Sequence, residues 1–448
     1  MYRSFRVILF CLLLTACQPK HEASLTGAPF DADNGNIAIR CGQLIDGLSD
    51  EPRSDTTVLI RDGRIAKLIP GHLRPPDALA FLDLSDKTCL PGLIDMHTHI
   101  ALYPEDASDM TVYYRRSIEA MTTDARENAT ATLMAGFTTI RNVGEYFPST
   151  IRAVQADIDA GRMAGPRIIS AGPFLTIPGG GGDLVIPGHD ESEIPVEVRG
   201  GVARGPDEFR KKARQALDDG ADMLKVIASG AVFAFGGVPG APEMSEDEIR
   251  AVVEIARERG VMVTAHAHGA QSIKDAIHAG VDSIEHASLA DDEAIALAAE
   301  RGVAFSMDVY NGTYTAEVGL SQGYPDEFMR KNEETTETQR VVFEKAIAAG
   351  VTLLFGTDAG VGPHGKNARQ FEVMVERDMA PMDAIRSATS LAASHMGWQA
   401  DIGAIETSRY GDLIAVQGDP LQDIAVLQDV AVVIKGGLIF KLPTSPSP

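Results

Sequence analysis

Apolar positions follow two different rhythms along this chain. In segments 37–90 and 398–443 they come as short β-type runs broken by turns. "VLIRDGRIAKL" (58–68) is two such runs around Asp62-Gly63, and "VVIKGGLIFKL" (432–442) repeats the pattern around Gly436-Gly437. An Asp-Gly or Gly-Gly pair between alternating residues signals a two-residue hairpin. The pattern predicts that the two hairpins pair into a small β-sandwich domain built from both ends of the chain.

Between them, over residues 91–397, helical stretches end in Gly and pass directly into an apolar run. Examples are "LMAGFTTI", "LDDGADML", "RERGVMV", "IHAGVDSI", "AERGVAF" and "IAAGVTLL", with Gly136, Gly220, Gly260, Gly280, Gly302 and Gly350 at the junctions. Glycine after the last helical turn takes a left-handed conformation and drops the chain into the next strand. Ser245 with Glu248 forms a capping box at the start of one such helix. With "GLIDMHTH" in front and "RIISAGPF" (167–174), about eight strands alternate with helices, which predicts an α/β fold, a TIM-like (β/α)₈ barrel. A doubly wound open sheet is the alternative, but no GxGxxG opens a helix after the first strand.

Composition changes the picture at the N-terminus and in the choice of partners. The apolar fraction of 44% is that of a globular protein, and a net charge of −23 repels phosphate backbones, which excludes nucleic acid. Arg3 and Arg6 precede an apolar run, Val7 to Leu14, too short to span a bilayer. Leu14-Thr15-Ala16-Cys17 resembles a bacterial lipobox. That resemblance implies a signal peptide over 1–17, lipid on Cys17 and an exported lipoprotein, while residues 18–36, polar and rich in Gly, Pro and Asn, read as a flexible tether. The lipoprotein's only link to the membrane is then the anchor, in the outer membrane and facing the periplasm. Cys11 falls in the signal, leaving Cys41 and Cys89 as either a disulfide or two separate buried thiols.

On a barrel, chemistry sits at the C-terminal ends of the strands. Metal-binding residue types recur there: His97 and His99, Lys225 in "ADMLKVIAS", His266 and His268, His286 in "VDSIEHAS", and Asp358 in "TLLFGTDAG". The i, i+2 spacing puts both histidines of each pair on one strand face. Imidazoles and a carboxylate converging on one mouth suit a divalent ion such as Zn²⁺. A lysine inside a β-run is hard to keep charged and dry. His21, His72, His278 and His395 lie in tether, turn or helix contexts and carry no such signal.

This order of residues, together with "GTDAGVGPHGKNARQFEVMV" (356–375), "SATSLAASHMG" (387–397) and "YGDLIAVQGDPLQDIAVLQDVAVVIKGG" (410–437), resembles the binuclear metal-dependent amidohydrolase superfamily. Within it, the motifs resemble the imidazolonepropionase-like branch, which includes Xaa-Pro dipeptidases, related carboxypeptidases and ochratoxinase. The resemblance implies two divalent ions, most simply Zn²⁺. His97, His99 and Asp358 would hold one, His266 and His286 the other, and Lys225, carboxylated by CO₂ to a carbamate, would bridge them. It further implies hydrolysis of an amide or peptide bond by a metal-bridging hydroxide, with Asp358 as general base and then acid, and a homo-oligomer.

Substrate contacts are assigned to His268, to His364 and Tyr310 in the loops after strands 8 and 7, and to Val232 and Phe233. The last two lie in "SGAVFAFGGVPGAPEM", an apolar loop that also carries Phe235 and favours an aromatic or aliphatic group. Hydrophobic dipeptides and N-acyl aromatic amino acids, ochratoxin-type amides included, fit it. Relatives carry Gly-Gly-His-Gly after strand 3 where this chain reads "PGGGGDLVIPGHD" (178–190), which leaves open whether His189 takes that place. The other readings are a cyclic-amide hydrolase resembling dihydroorotase or hydantoinase, and a non-catalytic lipid-anchored binding protein.

Overall fold

A computed structural model describes residues 35–71 and 80–443. The signal peptide, the lipobox Cys17 and nearly all of the tether lie outside the described residues. Four strands come first: β1 (Ile37–Leu44), β2 (Arg53–Arg61), β3 (Arg64–Pro70) and β4 (Ala80–Pro91). Eight shorter strands follow, interleaved with helices: β5 (Leu93–Thr98), β6 (Phe137–Asn142), β7 (Arg167–Ser170), β8 (Leu224–Ile227), β9 (Val263–Gly269), β10 (Ser283–Leu289), β11 (Ala304–Ser306) and β12 (Leu353–Leu354). β13 (Leu413–Val416), β14 (Val430–Lys435) and β15 (Leu438–Lys441) come last.

Both ends of the chain meet in one seven-stranded sheet, ordered β15-β14-β13-β4-β1-β2-β3. The two expected hairpins form, β2-β3 and β14-β15, but they do not pair with each other. They occupy opposite edges, and the termini join through the antiparallel contact of β13 with β4. Where a β-sandwich was expected, both ends of the chain build a single seven-stranded sheet. Ile37 and Ile39 of β1 share one core with Leu413, Val432 and Ile434, and the two hairpin turns come together around Gly35. A side chain on Gly35 (φ 71°) would sit 2.9 Å from Gly63 N and 3.0 Å from Gly436 O, so only glycine fits there. Cys41 of β1 and Cys89 of β4 form a disulfide inside this core.

The middle strands are parallel and form a TIM-like barrel in two arcs, β5-β6-β7 and β12-β11-β10-β9-β8. Backbone hydrogen bonds bridge both gaps: Ile227 N donates to Leu175 O at 2.9 Å, and Met96 N to Phe355 O at 2.8 Å. Gly260, Gly280, Gly302 and Gly350 end their helices in the left-handed conformation, as the pattern predicts. The Ser245–Glu248 capping box is present. β12 has only two residues because the chain leaves the ladder at Gly356. A side chain there would meet Ser306 Oγ at 2.1 Å and His97 Cβ at 2.9 Å. That close approach carries Asp358 to the barrel mouth.

Candidate metal centre

The strand-end residues converge. His97, Lys225, His266, His268 and His286 lie on β5, β8, β9 and β10, with His99 and Asp358 just past β5 and β12. All seven side chains are buried. His286 (φ 70°) and Asp358 (φ 55°) are held in the left-handed backbone region that side-chain-bearing residues rarely adopt. Such strain persists where a site over-determines the conformation.

The donor atoms form a regular figure. His97 Nε2 and His99 Nε2 are 3.3 Å apart, and Asp358 Oδ1 is 3.4 Å from each. Lys225 Nζ lies 3.4 Å from His97 Nε2. A tetrahedral first-row divalent ion with bonds of about 2.0–2.1 Å separates its ligand atoms by about 3.3–3.4 Å. The triangle therefore has the edges such an ion requires. His97, His286 and Asp358 can each offer an atom within 4.8 Å of the others, and so can His266, His268 and His286. His268, assigned from sequence to the substrate, thus stands within the second donor trio.

The electrostatics suit cations. Burial pulls His97, His266 and His268 well below their usual range, and His99 to about 3, so their nitrogens carry lone pairs at neutral pH. Burial also disfavours the charge on His286, but Asp308, 3.0 Å from its Nδ1, outweighs it and raises the group. Burial lowers Lys225 to about 8 and lifts Asp358 to about 7. An amine whose pKa burial lowers to about 8 has a sizeable neutral fraction near physiological pH, and, facing an imidazole, it fits a lysine able to react with CO₂. A carboxylate poised near neutrality fits a proton carrier.

Outside the donors, a cavity of about 140 Å³ opens onto Lys225, His268 and Asp358. Its apolar wall includes Val232 and Phe233, together with Tyr113, Tyr146 and Phe174. Tyr146 meets Phe174 edge to face with ring centres 5.3 Å apart, and Phe174 meets the tilted ring of His99 at 5.5 Å, so an aromatic row leads to the donors.

Two assignments go elsewhere, and the question left open for His189 is answered. Tyr310 is absent from the cavity wall, and its hydroxyl is held by Arg369 at 2.8 Å. Its neighbour Asn311 is the residue that reaches the centre, donating through Nδ2 to Asp358 Oδ2 at 3.1 Å and Asp308 Oδ2 at 3.3 Å. His364 lies behind the wall with Nε2 3.1 Å from Leu102 O, a scaffold contact. His189 does not replace the missing histidine of the glycine run. It is an exposed residue beside Glu193 at 3.1 Å. Sequence reading also missed Asp308, although it follows β11 at the position the strand-end rule marks.

Residues 88–439 match the model of the amidohydrolase family. Ochratoxinase from Aspergillus niger is 30% identical over 427 residues, spanning 90% of this chain and 86% of that protein. The crystal structure of a Xaa-Pro dipeptidase with bound methionine superposes with a TM-score of 0.85 at 36% identity, covering 91% of this chain and all of the other. A prolidase complexed with N-methylphosphonate-L-proline gives 0.83 at 28% identity, covering 91% and 99%.

Proposed function

The chain belongs to the amidohydrolase family and is a hydrolase of carbon–nitrogen bonds, and from that premise we propose that it cleaves the amide or peptide bond of a small molecule, as a dipeptidase or carboxypeptidase-like enzyme. The triangle of His97, His99 and Asp358, with Lys225 at the same spacing, carries this reading. These three residues would hold one Zn²⁺, His266 and His286 a second, and Lys225 would bridge them once carboxylated.

When bound, the ions would supply an activated water and an electrophile for the substrate carbonyl. The chain's own residues do the rest. Asp358, hydrogen-bonded by Asn311, takes the proton of the attacking water and returns it to the leaving amine. His268, fixed through Nδ1 by Ser288 at 2.9 Å, lines the cavity where the substrate carbonyl or carboxylate would lie. Phe174, Tyr146 and Phe233 exclude water and receive an aromatic or aliphatic group, which favours hydrophobic dipeptides and N-acyl aromatic amino acids. The ochratoxinase likeness points to the same class.

A screen of dipeptides, N-acyl amino acids and hydantoins, with Zn²⁺ and bicarbonate present, tests this. Turnover of an acyclic amide is expected. Activity on the cyclic substrates alone would replace the reading. We also propose export and lipid attachment at Cys17, which the Cys41–Cys89 disulfide supports because such bonds persist in oxidising compartments. Loss of lipid labelling in Cys17→Ser is the expected check.

A further inference from the structure

Beneath the metal donors the barrel interior departs from the aliphatic layers usual in this architecture. Arg141 of β6, Thr264 of β9, and Ser283 and Glu285 of β10 meet there, each at 0% exposure. Arg141 donates through Nε to Met96 O at 2.6 Å, through Nη1 to Ser283 Oγ at 2.9 Å, and through Nη2 to Glu285 Oε1 at 2.5 Å. Thr264 Oγ1 donates to the same Oε1. One carboxylate oxygen is therefore fully engaged. The other, Oε2, lies 2.8 Å from His97 Nδ1. The pair is off the line of the ring N–H, and neither atom has another hydrogen-bond partner.

A buried ion pair carries a desolvation cost of several kcal/mol, which packing alone does not justify. Resting on the metal reading above, we propose that Arg141 and Glu285 are a positioning pair that fixes the proton of His97 on Nδ1 and so presents Nε2, unprotonated, to the metal. A carboxylate only accepts, so the nitrogen facing it must carry the hydrogen. A neutral imidazole has one such hydrogen, which leaves the lone pair on Nε2. That is the atom 3.3 Å from His99 Nε2 and 3.4 Å from Asp358 Oδ1. Arg141 keeps Oε1 occupied and Oε2 turned to the ring.

Glu285→Gln separates this role from packing. Its carbonyl oxygen would stay with the donors Arg141 and Thr264, which turns the NH₂ toward His97 Nδ1. That nitrogen must then accept, and the proton moves to Nε2. The expected result is a loss of about 10–100-fold in Zn²⁺ affinity for one of two ions, measured by competition with a chromophoric chelator. Glu285→Asp, which keeps the charge, should recover part of it. In metal-depleted wild-type protein, ¹⁵N histidine spectra should show His97 protonated on Nδ1. An Nε2-protonated His97 overturns the proposal even if Glu285→Gln does not fold, and so does wild-type affinity in that variant. A wild-type protein that binds no divalent ion would instead overturn the metal reading itself.

Discussion

Lys225 and Lys435 are both lysines sealed from solvent, one at the barrel mouth and one in the terminal sheet. Burial dominates both, pulling Lys225 to about 8 and Lys435 to about 7. Their surroundings differ. Lys435 Nζ donates to Gly165 O, near the ring of Phe440. Lys225 Nζ faces His97 Nε2 and lines the cavity. The same desolvation therefore yields a satisfied structural donor in the sheet and an available amine at the mouth. What a buried lysine does depends on whether an acceptor or open space meets its nitrogen.

The sharpest way to break the comparison is to remove each lysine. Lys225→Ala should lower turnover by about 10³-fold or more, since the charge stabilisation of the centre goes with it. Metal analysis should show fewer bound ions, with circular dichroism unchanged. Full activity in that variant would sink the two-metal mechanism. Lys435→Met should keep its activity and metal content.

Asp358→Asn comes next. The amide cannot take a proton from water, so kcat should fall by about 10²–10⁴-fold when compared at equal metal content. Unchanged kcat would assign the proton transfer to another group.

A smaller effect, on stability alone, is expected in the sheet. Replacing Cys41 and Cys89 together by Ser should cost about 2–4 kcal/mol in denaturant unfolding while leaving kcat at 25 °C intact. A fall in kcat would show that the sheet acts on the mouth.

The smallest effect is a pH dependence. Between about pH 10.5 and 7, Lys435 holds its proton in the unfolded chain but not in the folded one, so folding stability is lost as pH falls through this window. Lys435→Met lacks this loss. Relative to wild type the variant should gain about 1–3 kcal/mol on moving from pH 10 to pH 7. Parallel unfolding midpoints would show that Lys435 stays charged.

The candidate metal donors were legible because a strand's period of two is rigid: His97 and His99, like His266 and His268, had to share a face. The hairpins were legible from Asp62-Gly63 and Gly436-Gly437, whose φ values are all positive. Glu285 was hidden by the same rule. It stands next to His286, and strict alternation would send one of the two outward. The left-handed backbone at His286 breaks the alternation and lets both serve the interior. Tyr310 was one residue from Asn311, and nothing in a loop's sequence tells which of two neighbours turns inward.

Sequence alone therefore determined the order of strands and helices and the placing of histidines, Lys225 and Asp358 at strand ends, because these depend on local periodicity and on residue type. Tertiary structure alone decided that Cys41 meets Cys89, that the hairpins lie at opposite edges of one sheet, and that Arg141 and Glu285 sit beneath His97. Each of those depends on contacts between residues distant along the chain. Such contacts are set by how the strands close and pack, and no local pattern encodes that.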